Sequence, residues 1–468
     1  MGSRNVFWTP AFYGHRVVVN RLVMIAVLGA AAAATLPIAV AATSSRAVAP
    51  PLQFKYTGRE QIYTVPAGVV MVGVAVEGGH GGQAGDQAGE GGGRDGGVGA
   101  LLPVTPHEKL YVEVGAAGVY NGGPVFGGGG KAGAPPPVVG RDSSGAPSHS
   151  VYASSGGGAS DVRTCPLEAT KCPGGVSSTA TRLIVGGGGG GEAGSGNGPQ
   201  VTCSANTGGG RANSFQFLPG NASAGPLPIV TAAGTVYPGY PTSDHGSPGV
   251  TPAGGGGTKP GNGGAQAGCP AGTSVRYSDS VAGSTASGPV GGSGGDASSL
   301  GPMDPTCGSN NSCFDAGPGG GGGGGYFGGG GGATGLDRTS GNCGVCNSAG
   351  AGQGGGGGSS FVAKQLRSPV DESLVQTSWN GWAELAPVIE IDVPSNGAVY
   401  RRGQVVRARW QCGYDSRISL GFPSSCRGSV ADGARLDTSF GRHRFTVGGT
   451  VSANGNHTVS ATITYTVR

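Results

Sequence analysis

The pentapeptide Gly-Gly-Ser-Gly-Gly at residues 291–295 matches the G-x-S-x-G pattern of hydrolases whose central serine attacks an acyl carbon. That serine is reactive only on a sharp turn between a strand and a helix, and no strand is predicted before Ser293. The chain has 103 glycines among 468 residues, so such matches arise by chance. The sequence therefore predicts no catalytic residue here, and we expect a protein that is not an enzyme.

The ten cysteines offer two further chemistries, metal binding and disulfide formation. Cys343 and Cys346 have the C-x-x-C spacing of redox and zinc sites, to which Cys307 and Cys313 could add two ligands. An even number of cysteines in an exported chain is more typical of disulfides. Close spacing favours these pairs, although the sequence does not fix the connectivity: Cys165 with Cys172, Cys307 with Cys313, Cys343 with Cys346, Cys412 with Cys426, and by remainder Cys203 with Cys269. The histidines lack ligand spacing and most are expected to be solvated, so neither a metal nor another cofactor is predicted.

Two small groups of side chains are candidates for surface contacts. Arg407 and Arg409 lie two residues apart in a predicted strand, so both face the same way, opposite Ala408 and Trp410. They form either an ordinary solvated face or a basic stripe for an anionic envelope polymer or for the acidic glycine-rich region. Trp379 and Trp382 form either a platform that stacks on a sugar or packing within the fold.

The N-terminus has the features of a secretory signal peptide over residues 1–41. Arg16 and Arg21 precede an apolar run that ends in Ala-Val-Ala at residues 39–41. No second apolar stretch of about 20 residues follows, so we expect a secreted or surface-associated protein without a membrane span. Removal of three arginines with residues 1–41 brings the formal net charge of +4 close to neutral, which argues against a nucleic-acid partner.

Residues 54–386 form a glycine-rich region, preceded by a linker at 42–53 and interrupted by an insertion at 200–310. Strand-forming stretches recur between the glycine runs, for example Val70 to Val76 beyond a turn at residues 65–68. A glycine run can adopt an extended threefold helix without internal hydrogen bonds. Its backbone groups must then bond sideways. We therefore predict that the glycines fold as packed helices in which alanine would be too large.

Four motifs in this region, together with "YTGREQIYTVPAGV" at 56–69, resemble the glycine-rich domain of the anaplastic lymphoma kinase and leukocyte tyrosine kinase receptors. The motifs are "GGGASDVR" at 156–163, "RLIVGGGGGG" at 182–191, "GGGGGGGYFGGGGG" at 319–332 and "GQGGGGGSSFV" at 352–362. The resemblance implies an all-β fold, namely a tumour-necrosis-factor-like sandwich with an inserted bundle of polyglycine helices. Unlike the receptors, this sequence has no kinase motifs after the glycine-rich region. The structural positions that we assign within these motifs are Gly156, Asp161, Arg163, Gly186, Gly191, Gly319, Gly325, Gly354 and Gly358.

Residues 387–468 resemble bacterial immunoglobulin-like modules of exported proteins. Alternation from Val459 to Val467 predicts a final strand with one apolar face, and Val405, Ala408 and Trp410 are expected to pack inward. This part has ten arginines, no lysine and five acidic residues. Five to seven short strands separated by turn glycines favour a sandwich.

These features favour a non-enzymatic binding, adhesion or matrix scaffold protein whose partner is an unidentified protein or envelope polymer. One alternative is a receptor-like binder of small protein ligands, which rests on the family resemblance alone. The other is an exported hydrolase with its site in the 200–310 insertion. That alternative needs His245 and several acids to meet at one place, namely Asp244, Asp279, Asp296 and Asp304.

Overall fold

The computed structural model describes nine segments of the chain and four isolated two-residue strands. The segments are 49–83, 92–135, 152–194, 282–297, 317–334, 354–372, 379–413, 424–451 and 457–468, and the short strands lie at 229–230, 236–237, 277–278 and 337–338. The signal peptide and most of the 200–310 insertion lie outside the described residues. Residues Val48–Arg468 belong to one compact unit.

The described residues form strands, two 3₁₀ turns at Pro173–Gly175 and Ser178–Thr181, and no α-helix, which confirms the all-β prediction. In chain order the strands are β1 (Leu52–Lys55), β2 (Gln61–Thr64), β3 (Val69–Glu77), β4 (Gly97–Pro103), β5 (Lys109–Glu113), β6 (Ser160–Arg163), β7 (Arg182–Gly186), β8 (Ile229–Val230), β9 (Val236–Tyr237), β10 (Tyr277–Ser278), β11 (Asp337–Arg338), β12 (Phe361–Val362), β13 (Arg367–Glu372), β14 (Trp382–Val393), β15 (Val399–Tyr400), β16 (Arg409–Cys412), β17 (Ser424–Gly428), β18 (Gly441–Val451) and β19 (His457–Val467).

Two antiparallel sheets pack face to face in the glycine-rich region. The first has the order β1-β14-β3-β4-β13, and the second has the order β12-β7-β6-β5-β2. Apolar residues of both sheets share one core, to which the first contributes Val74 and Ala100 and the second contributes Val112, Val162 and Ile184. Alternation along each strand places these side chains on one face, so the region is a β-sandwich.

The turn predicted at residues 65–68 is confirmed and carries the chain from the second sheet to the first. The Val69 N–H donates to the Pro66 carbonyl over 3.2 Å, and Gly68 has a φ of +80°. Glycine is the residue that adopts this conformation at the third position of a tight turn. The strands β4 and β5 follow each other in sequence but lie in different sheets, where β4 pairs with β3 and β5 pairs with β2.

A second sandwich follows, in which the sheet β15-β19-β18-β17 faces the later half of β14 and its partner β16. Phe445 and Val447 lie in its core together with Ile463, whose inward position the alternation from Val459 to Val467 predicted. Val405, expected inside, is 61% exposed, whereas Val406 is buried. The alternation fails there because residues 404–406 are not in a strand.

Strand β14 runs without interruption through residues 386 and 387, where the domain boundary was predicted. It pairs with β3 from Trp382 to Glu390, and Met71 and Leu101 of the first sheet contribute to the second core. The two-domain division stays a prediction. In the structure, a shared strand and shared core residues join the two sandwiches.

The glycine runs pack side by side as backbone, and segment 319–325 shows how. Its N–H and carbonyl groups bond to six neighbouring segments, and five of these neighbours are met at every third residue. Gly319 and Gly322 bond to segments 289–295 and 130–133. Gly321 and Gly324 bond to segments 154–157 and 188–191. Gly320 and Gly323 bond to segment 329–332, and Gly323 also bonds to Gly356. Three residues per turn with only lateral bonds is the repeat of a polyproline-type helix.

Glycine is required at most positions of these packed segments, which we call the glycine bundle. A Cβ added to Gly322 would overlap the backbone carbonyl of Gly329, and one added to Gly188 would overlap that of Gly157. The neighbour is rigid backbone in both cases, so no side-chain movement makes room. This confirms the prediction that the glycines themselves form packed interior and that alanine is too large.

Candidate functional site

The polar residues of the glycine motifs meet on the outer face of the second sheet. Arg163 on β6 is 1% exposed, and its Nε donates to Asp161 Oδ1 over 2.8 Å. Its Nη2 donates to both Asp161 Oδ2 and Glu113 Oε2, and its Nη1 donates to Ser178 Oγ over 3.1 Å. Asp161 and Arg163 were predicted as structural positions, whereas Glu113 was missed because it lies on β5 in an unrelated stretch of sequence.

These charges are buried beneath segment 164–181, which we call the strap. A disulfide between Cys165 and Cys172 closes its first part, as predicted. Ser178 Oγ also donates to the Cys165 carbonyl over 3.1 Å, and the Leu167 N–H donates to Glu60 Oε1 over 2.6 Å. Hydrogen bonds to buried charged groups are stronger than those between neutral groups. The charged cluster therefore holds the strap to the sheet.

Glu113 is the strongly perturbed acid of this cluster. Burial, and after it the nearby Asp161 carboxylate, raise the pKa of its carboxyl group to about 8, although the Arg163 guanidinium acts in the opposite direction. The Glu113 side chain therefore takes up a proton near neutral pH, where an exposed glutamate would be ionised.

A second arginine joins two other motifs. Arg182 Nη1 donates to the Gly325 carbonyl over 2.9 Å, and its guanidinium lies 5.0 Å from the centre of the Tyr326 ring. Tyr326 in turn stacks on Phe361, with ring centres 3.9 Å apart. Burial lowers the pKa of Arg182. These contacts fix the turn between two glycine runs, a structural role that agrees with the assignment of Gly325 as a structural position.

The residues considered for catalysis are not brought together in the described part of the chain. Ser293 lies in the glycine bundle, where its N–H donates to Ser284 Oγ and its carbonyl accepts from the Ser284 N–H. Asp296 Oδ1 accepts from the Ala134 N–H over 2.7 Å. The other residues of this hypothesis lie outside the described residues, namely Asp244, His245, Asp279 and Asp304.

Six of the cysteines also lie outside the described residues, so their pairing stays a prediction: Cys203, Cys269, Cys307, Cys313, Cys343 and Cys346. The disulfide between Cys412 and Cys426 is present and joins β16 to β17. No cluster of three or more potential metal ligands occurs in the described segments.

His80 departs from the expected solvated histidine, since only 2% of it is exposed. Its Nε2 lies 2.7 Å from Asp95 Oδ1, within ion-pair distance, although the angle is poor for a hydrogen bond. Trp379 packs edge-to-face on its ring, with centres 5.7 Å apart. The histidine therefore belongs to the packed end of the glycine bundle.

The two tryptophans have different surroundings. Trp379 is 52% exposed beside His80, whereas the Trp382 indole N–H donates to Glu77 Oε2 and its ring packs against the second core. Trp382 therefore contributes to packing, and Trp379 presents its ring to solvent.

Arg407 and Arg409, for which a solvated face and a basic stripe were the two alternatives, lie close to a third arginine. Arg407 and Arg435 lie directly opposite each other in an antiparallel bridge, and Arg409 is two residues along on the same side. All three are exposed, while Val406 and Ala408, which alternate with Arg407 and Arg409, are buried. We call Arg407, Arg409 and Arg435 the arginine cluster. Arg435 was missed because no local spacing relates it to Arg407.

The arginine cluster makes a hydrogen bond to the backbone but no ion pair within the described residues. Arg407 Nη1 donates to the Gly433 carbonyl over 2.8 Å, and the nearby Asp432 carboxylate accepts from the Trp410 N–H over 3.0 Å. Like charges directly opposite in a sheet are destabilising, so this arrangement suits contact with an anion.

No protein-family model matches the sequence, and no curated protein matches it either. Among the described residues, no helix is both long and apolar enough to cross a membrane.

Proposed function

We propose that this chain is an exported, non-enzymatic binding protein that attaches to an anionic envelope polymer through the arginine cluster. The observation behind the proposal is the juxtaposition of Arg407 and Arg435. Like charges directly opposite each other in a sheet lower stability, and neither arginine takes part in an ion pair among the described residues. Residues 387–468 carry ten arginines against five acids, which extends the positive field around the cluster.

The glycine-rich region is, in this proposal, the rigid support for the binding module. We propose that it has the tumour-necrosis-factor-like sandwich and polyglycine-helix bundle of the receptor-type domain, and that residues 387–468 are immunoglobulin-like. The threefold repeat of lateral hydrogen bonds and the two packed sheets support this assignment. Two disulfides are typical of an oxidising compartment outside the cytoplasm.

The test is binding of the secreted protein to immobilised alginate, a carboxylate-bearing polymer, with neutral dextran as the control polymer. The double variant Arg407→Gln/Arg435→Gln is expected to bind about tenfold more weakly, since two exposed ion pairs contribute about 1.4 kcal/mol together. Arg59→Gln removes one exposed arginine from the glycine-rich region and is expected to bind like the original protein.

Ionic strength gives a second readout. Binding of the original protein should weaken steeply with added salt, because exposed charges are screened. The double variant should show a shallower dependence. Binding that is insensitive to salt, or equal for the double variant and Arg59→Gln, would contradict the proposed function.

A further inference from the structure

The sandwich that carries the arginine cluster has a second basic surface on its opposite side. Arg442 and Arg444 of β18 point outward, because His443 and Phe445 alternate with them toward the interior. Two residues along a strand are about 7 Å apart. Arg427 of β17 faces the same way, beside Gly448. We call Arg427, Arg442 and Arg444 the second arginine surface.

The rest of that face is made of hydroxyl groups. The outward positions of β19 are Thr458, Ser460, Thr462, Thr464 and Thr466. Thr446 and Thr462 hydrogen-bond to each other over 2.8 Å, and the Thr464 N–H donates to Asn396 Oδ1 over 3.1 Å.

No acidic residue lies on this face among the described residues of 387–468. The described acidic residues of this range lie elsewhere: Glu390 and Asp392 on β14, and Asp432 and Asp437 in the connection between β17 and β18. Guanidinium groups pair with carboxylates, and hydroxyls bond to other hydroxyls. Charge and hydrogen-bonding groups together therefore suit a linear polysaccharide that bears carboxylates.

The two basic surfaces cannot contact the same straight stretch of polymer. Val406 and Ala408 point inward from the segment of the arginine cluster, and Phe445 and Ile463 point inward from the opposite sheet, all into one core. Packed sheets are about 10 Å apart, and the arginines project outward from both sides.

We propose that the module holds two carboxylated polysaccharide chains, one on each side, and so cross-links them. This inference rests on the proposed function for the first chain and adds the second. A protein with one binding surface would coat such a polymer, whereas one with two opposed surfaces joins neighbouring chains into a network. The glycine-rich region then serves as a spacer beside each cross-link.

The experiment counts binding sites on the full secreted protein by calorimetry, with short alginate oligosaccharides as the probe. The original protein and Arg59→Gln should bind two oligosaccharides, and Arg442→Gln/Arg444→Gln and Arg407→Gln/Arg435→Gln should bind one each. Light scattering with long alginate should show aggregates for the first two proteins only. All five substituted residues are exposed, and thermal unfolding checks that each variant is folded.

The outcomes separate this inference from the proposed function. One bound oligosaccharide that is lost in Arg407→Gln/Arg435→Gln and kept in Arg442→Gln/Arg444→Gln would overturn cross-linking and leave the proposed function standing. Unchanged binding by Arg407→Gln/Arg435→Gln would overturn the proposed function. Aggregation that persists in both double variants would arise from another surface or from self-association, and would also overturn the inference.

Discussion

Replacing Glu113 by glutamine should remove part of the pH dependence of stability. The pKa of Glu113 is raised to about 8 in the folded protein, above an ordinary value of 4.5. Between these values the folded chain binds more protons at this site than the unfolded chain. Stability from this group is therefore fully present below about pH 4.5 and lost as the pH rises toward 8, with a slope of at most about 1.4 kcal/mol per pH unit.

The assay is urea unfolding of the oxidised protein at pH 5, 6 and 7. As the pH rises from 5 to 7, ionisation of Glu113 should lower the free energy of unfolding by at most about 3 kcal/mol. The Glu113→Gln variant, which cannot ionise, should show a flatter profile than the original protein. Glu168→Gln, an exposed change on the same strap, should leave the profile unchanged. A Glu113→Gln profile parallel to that of the original protein would refute the raised pKa of the Glu113 carboxyl group.

Two further predictions concern the glycine bundle and the strap. Gly322→Ala should destabilise the protein by about 1–3 kcal/mol or more through overpacking. Gly123→Ala, with open space around the substituted position, should be tolerated. Equal thermal unfolding temperatures for the two variants would contradict the close packing of the glycine bundle. Cys165→Ala/Cys172→Ala should cost about 2.5 kcal/mol in urea unfolding because it frees a short loop, and an unchanged unfolding midpoint would show that the disulfide contributes nothing.

The sequence predicts much of the fold because local patterns are strong in it. Alternation from Val459 to Val467 identifies a strand with one buried face, and the glycine at position 68 marks a turn. Strand pairing is a different matter, since β4 and β5 are neighbours in sequence but lie in separate sheets. Pairing depends on contacts between distant segments, which spacing does not encode.

The sites show the same division between local and distant information. Arg407 and Arg409 are recognisable from alternation, but Arg435 joins them only through a bridge formed in the folded chain. Likewise Asp161 and Arg163 belong to one motif, whereas Glu113 meets them because β5 pairs with β6. Val405 was expected inside because a strand was assumed to begin earlier than it does.

The contrast between the two sets of arginines favours binding as the reason for the exposed one. Arg163 is buried with two carboxyl groups, a hydroxyl and a disulfide-closed strap around it, so the fold provides acids where a guanidinium must be accommodated. Arg407 and Arg435, by contrast, are exposed and face each other across a β-bridge, where exchanging one for glutamate would relieve the repulsion. Folding gains nothing from that repulsion, whereas an anionic polymer passing over the surface would neutralise both charges at once.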